Sequence, residues 1–139
     1  MTPRLLCAAL LIAGAAAPSA TQRVSVSPRL VLPSMSGHDI YGYFCASCHG
    51  SGGRGDGPVA SELKTRPADL TRLTAINGGQ FPLQRVRGFV THGRADAPTH
   101  GSPDMPVWGP IFQLLDPSDQ VAQARIDNVV EYIRSIQSK

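Results

Sequence analysis

The sequence predicts an all-α domain, and three observations carry that prediction. Ala122, Ile126, Val129, Ile133 and Ile136 recur at helical spacing and trace one apolar stripe near the C-terminus. Ile40, Tyr41 and Phe44 fall on one side of a second helical stretch, just after a serine able to cap it. No stretch alternates apolar and polar residues as a half-buried strand does, and no internal repeat is present.

Taken in order, residues 1–20 (MTPRLLCAALLIAGAAAPSA) have the parts of a secretory signal peptide: Arg4, an apolar run over 5–17, then small residues. The run falls short of the roughly 20 apolar residues of a membrane-spanning helix. Cleavage after Ser19 or after Ala20 fits, with an uncleaved anchor as the alternative. Residues 21–35 hold Pro28 and Pro33 and no helical period, and read as an extended arm or linker. The domain proper is assigned to 36–139. Ser36 with Asp39 three residues on resembles a capping box, which predicts a first helix over about 37–47. Its inner side carries Ile40, Tyr41, Phe44, Cys45 and Cys48. Gly37 is costly in a helix, and its use is to let another backbone come close.

That helix leads into Cys45-Ala46-Ser47-Cys48-His49. Cys-x-x-Cys-His is the pattern of covalent c-type haem attachment: two thiols on one helical turn can bond one haem, and the adjacent imidazole can coordinate its iron. A thioredoxin-like redox pair would sit at a helix start after a strand, but the residues before Cys45 read as helix. A zinc site needs four ligands, and the one other cysteine, Cys7, lies in the targeting segment. The same count leaves no structural disulfide.

Residues 50–58 carry five glycines in Gly50-Ser51-Gly52-Gly53-Arg54-Gly55-Asp56-Gly57-Pro58. Gly50, Gly52 and Gly55 match a dinucleotide-binding fingerprint, but after a helix rather than a strand, which is the wrong context. The preferred reading is a loop that turns tightly and lies against a haem edge. Pro58 can begin a short helix through 59–64. Residues 65–81 hold turn chemistry at Pro67 and Asn77-Gly78-Gly79 around Leu70, Leu73 and Ile76. Pro82 suits the start of another helix, with Leu83, Val86 and Val90 at its spacing and Gly93 beyond its end. Residues 91–107 read as a long loop. Ser118 caps the last helix, whose Gln123, Arg125, Asp127 and Arg134 are expected to face away from the stripe.

The mature chain of about 119 residues makes a modest core, which a buried haem would enlarge. Removing residues 1–20 takes one cation, Arg4, from a formal net charge of +3, and two haem propionates would bring the balance close to zero. The basic pI is therefore no argument for nucleic acid, and no Lys/Arg cluster with interleaved aromatics appears. Trp108 reads as a haem-wall residue in preference to plain core. His38, near a helix start, reads as a surface residue. Arg66, Arg85 and Arg94 are candidates for the propionates, and the sequence does not choose among them.

Helix, Cys-x-x-Cys-His, glycine loop, late methionine and long last helix, in that order over 36–138, resemble class I cytochrome c. The likeness is to small bacterial periplasmic members with C-H-G-x-x-G-x-G-x-G-P and a late M-P-x-W-G, here Cys48–Pro58 and Met105-Pro106-Val107-Trp108-Gly109. The resemblance implies short helices wrapped round one covalent haem c, with the N- and C-terminal helices crossing where Gly37 and Tyr41 meet Tyr132 and Ile133. It implies Cys45 and Cys48 as the attachment residues, His49 as proximal and Met105 as distal iron ligand, and the carbonyl of Pro58 as acceptor for the His49 Nδ1–H. Pro103 and Pro106 stiffen the chain around Met105, which a weak thioether ligand needs. His92 or His100 in its place, or Met105 as core filler, are the alternatives.

The function these features predict is single-electron transport by a periplasmic, mono-haem, monomeric carrier that docks transiently with a donor and an acceptor. It is not an enzyme and takes no small-molecule substrate. The alternative is a haem subunit held permanently in a periplasmic dehydrogenase or a terminal-oxidase membrane complex.

Overall fold

The computed structural model describes residues 34–93, 105–116 and 118–138. Among them are six α-helices and no strand: α1 (Gly37–Phe44), α2 (Ala46–His49), α3 (Leu73–Ile76), α4 (Leu83–His92), α5 (Trp108–Leu115) and α6 (Asp119–Ser135). Two 3-10 turns, Ala60–Glu62 and Leu70–Arg72, complete the described elements. Residues 1–20, expected from the sequence to be a signal peptide, and most of the expected arm lie outside the described residues, as do His100, Arg94 and Pro103.

The long helix α6 is the spine, against which α1, α4 and α5 pack. Its stripe is buried as its period requires, with Ala122, Ile126, Val129 and Ile133 each at most 3% exposed. Ile40 and Tyr41 of α1, Val86 and Val90 of α4, and Phe112 of α5 close the core from three sides.

Where α1 crosses α6 the backbones touch. A Cβ on Gly37 would overlap the carbonyl oxygen of Asn128 and stand 3.0 Å from Tyr132 Cβ. Asn128 Nδ2 donates to the Met35 carbonyl at 2.7 Å, and the Tyr41 and Tyr132 rings meet at 5.1 Å. The crossing at Gly37, Tyr41 and Tyr132 is thus as the resemblance implied.

Helix α1 begins at Gly37 after Ser36, but without the anticipated capping box. The Ser36 backbone N–H donates to Ser34 Oγ at 3.0 Å, and Asp39 instead takes the His38 imidazole at 3.0 Å. The helical path also breaks at Cys45 and resumes as α2, reaching His49 rather than stopping near 47.

Three further departures have physical causes. The region after Pro58 forms one 3-10 turn, not a helix through 64. Helix α5 was not legible, because Gly109 and Pro110 stand in its first turn; proline is tolerated there, since first-turn N–H groups have no intrahelical partner. Arg125 does not face away: it is 5% exposed, its Nη2 3.8 Å from Asp116 Oδ2 just past the end of α5. It follows Ala122 by three residues and precedes Val129 by four, so it shares their face, and the negative end of α5 favours a cation there. Among the described residues its Nε and Nη1 have no hydrogen-bond partner.

Candidate haem site

The site is built on the turn that closes α2. Cys45 and Cys48 are free thiols, each partly buried, spaced on one helical turn with His49 following at once. Burial, and the neighbouring Cys48, push the Cys45 thiol up to about 12, so it stands protonated. The His49 backbone N–H donates to the Cys45 carbonyl at 2.9 Å, fixing histidine and first cysteine within one unit.

The glycine loop is strapped back over this turn. Gly55 N–H donates to the His49 carbonyl (2.8 Å), Gly57 N–H to Cys48 (3.1 Å) and Val59 N–H to Ser47 (3.1 Å). Gly50 caps α2 at φ 79°, and Gly55, at φ 72°, stands where a Cβ would overlap the Pro67 carbonyl oxygen. The loop does turn tightly. At Gly55 and Gly57 the missing side chain makes room for the chain's own backbone, while Gly50 faces the Asp56 carboxylate and Gly53 the Ile136 side chain.

That packing brings the 67–70 segment against the motif, and Leu70 N–H donates to the Gly53 carbonyl at 2.7 Å. The segment is fixed from the other side by the end of the chain. Gln137 Nε2 donates to the Leu70 carbonyl (2.6 Å), and Ser138 N–H to the Thr71 carbonyl (2.8 Å). Asp69 Oδ1 accepts from both Thr71 N–H (2.9 Å) and Thr71 Oγ1 (2.6 Å), a local turn that presents the preceding carbonyl.

That carbonyl, of Ala68, takes the His49 ring: Nδ1 lies 3.0 Å from Ala68 O. This corrects the assignment of Pro58 as the acceptor. Pro58 is exposed between the Gly57 and Val59 straps, while the Asp69 turn sets Ala68 over the ring. With Nδ1 donating to a carbonyl, the tautomer is fixed and Nε2 keeps its lone pair for a metal. Burial holds the His49 imidazole below its usual value, outweighing the Ala68 hydrogen bond, and neutral imidazole is the ligating form.

The late motif reaches the same region through aromatic rings. Trp108 meets Phe44, the residue before Cys45, edge-on at 5.2 Å and stacks on Phe112 at 6.0 Å; Phe44 and Phe112 meet at 5.2 Å. Trp108 is partly buried and forms a wall beside the motif helix, with Met105 three residues before it, also partly buried. His92 is exposed at the last turn of α4, and His38 is exposed against Tyr132. Of the arginine candidates, Arg66 Nε donates to the Gly55 carbonyl at 3.3 Å and Arg85 is exposed. Sequence reasoning missed Ala68, Phe44 as the partner of Trp108, and Phe112. The Asp69-x-Thr71 turn signal after Pro67 could have exposed the first.

Among the described residues no group of three or more His, Cys, Asp or Glu side chains could hold a bare metal ion. The donor set present fits haem: two free thiols, an imidazole with its Nε2 available, and a partly buried methionine three residues before Trp108. The profile of the cytochrome c family matches residues 34–137. The chain belongs to the cytochrome c family, whose members bind covalently attached haem c and transfer electrons, and its Cys45 and Cys48 fit a single haem. No curated protein sequence matches it as a relative.

Proposed function

We propose that the protein is an exported, periplasmic, mono-haem electron carrier in which His49 and Met105 bind the iron. The observation that carries this reading is the His49 ring, its Nδ1 committed to the Ala68 carbonyl and its Nε2 left for a metal beside two free thiols. Haem c supplies the one-electron ferric/ferrous couple. The chain's own residues do the rest. Cys45 and Cys48 hold the group, His49 orients it, and Phe44, Trp108 and Phe112 exclude water from one side of the site. Met105 would be the second protein ligand to the iron, which would leave no coordination site for a substrate and little rearrangement on transfer. Ligation by a thioether together with histidine would also raise the potential relative to two imidazoles. Donor and acceptor dock transiently and in turn, through small interfaces of the kind redox encounters use.

The test is made on protein recovered from the secreting cell. Intact mass should show an N-terminus between Ala17 and Thr21 plus one haem, and the haem should survive denaturing electrophoresis and acid–acetone extraction. Cys45→Ala or Cys48→Ala should weaken attachment. Size exclusion of native extract should place the haem near the protein's own mass; elution with a larger assembly would assign it as a permanent subunit instead. Haem lost to the organic phase would refute covalent attachment.

A further inference from the structure

The ends of α4 and α5 meet beside Met105. A Cβ on Gly109 would overlap the Thr91 carbonyl oxygen and stand 3.1 Å from Thr91 Cγ2. Thr91 is itself pinned, its Oγ1 donating to the Arg87 carbonyl at 2.8 Å. Two residues outward on each side the approach repeats: a Cβ on Gly93, which caps α4 at φ 66°, would stand 2.8 Å from Val107 Cγ2. Residues 91–93 and 107–109 therefore lie side by side, and Met105 is only two residues from that contact. Gly109 is fully buried between the helices, whereas Gly88, elsewhere on α4, has nothing within 4 Å of its Cβ position.

A thioether is a weak, neutral ligand on a flexible side chain, so small displacements of its backbone decide whether it binds. The Thr91–Gly109 contact fixes how closely α5 approaches α4, and a methyl group there meets backbone, which cannot rotate aside. We propose that Gly109 is a positioning residue for the Met105 sulfur: the absence of its Cβ sets the α4–α5 spacing that brings the thioether to the iron. This rests on Met105 being the distal ligand, and the test separates the two claims.

The holoprotein variant Gly109→Ala should lose or weaken the sulfur-to-iron band of the ferric protein and lower the midpoint potential. It should also bind added imidazole about tenfold tighter or more, the change that about 1.4 kcal/mol of lost competition gives. Val107→Ala removes two methyl groups at the adjoining Gly93–Val107 contact instead of adding one, so it tests the same α4–α5 approach even where Gly109→Ala does not fold; it should tighten imidazole binding several-fold. Gly37→Ala, at the α1–α6 crossing, should lower stability while leaving band and imidazole affinity as in the parent protein. If Met105→Ala abolishes the band but Gly109→Ala and Val107→Ala keep the parental imidazole affinity, the positioning role is wrong and the ligand assignment stands. If Gly37→Ala tightens imidazole as much as Gly109→Ala, the effect is general loosening and the proposal is again wrong. A parent protein without the band would overturn the ligand assignment and the proposal together.

Discussion

Two glycines in α1 should respond to the same substitution with opposite sign. Gly42 is exposed, with nothing within 4 Å of its Cβ position, so Gly42→Ala adds only helix propensity. That gain is about 0.8–1 kcal/mol in a helix interior. A Cβ on Gly37 would overlap the Asn128 carbonyl oxygen and stand 3.0 Å from Tyr132 Cβ, both on the opposing helix. An added methyl there must push α1 off α6 and loosen the Asn128–Met35 hydrogen bond, a cost of about 1–3 kcal/mol as overpacking does. The two variants should therefore differ by about 2–4 kcal/mol. For a domain of this size each kcal/mol moves the melting temperature by about 4–8 °C. Thermal and guanidinium unfolding of the holoprotein, followed by far-ultraviolet circular dichroism, reads both. Gly37→Ala proving neutral or as stabilising as Gly42→Ala would refute the backbone contact on which the crossing depends.

The remaining predictions bear on the site and its supports. Asp69→Ala removes the acceptor for both Thr71 donors and frees the Ala68 carbonyl from the His49 ring; a weaker Nδ1 hydrogen bond makes a less basic ligand, so the midpoint potential should rise, measured by redox titration. Tyr41→Phe removes the buried donation from Tyr41 Oη to the Gly50 carbonyl at 2.7 Å and should cost about 0.5–1.5 kcal/mol in guanidinium unfolding. Gly50 O still accepts from Gly53 N–H, which keeps that cost from being larger. Arg125→Met combined with Asp116→Asn removes both charges of the pair, including a buried guanidinium of which two nitrogens have no partner among the described residues. The double variant should be neutral or stabilising by up to about 1–4 kcal/mol in guanidinium unfolding, with the haem spectrum unchanged. Arg125→Met alone, which strands the Asp116 carboxylate, should be the less stable of the two.

The helices that define the fold were legible wherever one apolar face repeats over several turns. The stripe on α6 and the Leu83–Val86–Val90 spacing on α4 are direct consequences of burying one side of a cylinder, and the structure buries Val86 and Val90 as that logic requires. Helix α5 escaped because it is short and starts with glycine and proline, and because Leu114 points outward at 87% exposed, blurring any apolar face. Arg125 was misplaced for a related reason. Charge predicts the solvent side only when no anion waits inside, and Asp116 is contributed by a different element. The covalent motif could be read outright, since cysteine spacing and the adjacent histidine are local chemistry. The partner of His49 could not. It is nineteen residues away and is chosen by how the glycine loop, the Asp69 turn and the chain end at Gln137 pack together.

The distal ligand tests the account most directly. The sulfur-to-iron band in the near-red spectrum of the ferric holoprotein, recorded for the parent and for Met105→Ala, His92→Ala and His100→Ala, reports which side chain binds opposite His49. The band should be present in the parent, absent in Met105→Ala with a lower potential and an iron open to carbon monoxide once reduced, and unchanged in both histidine variants. Persistence of the band in Met105→Ala, or its loss in either histidine variant, would contradict the His49/Met105 assignment.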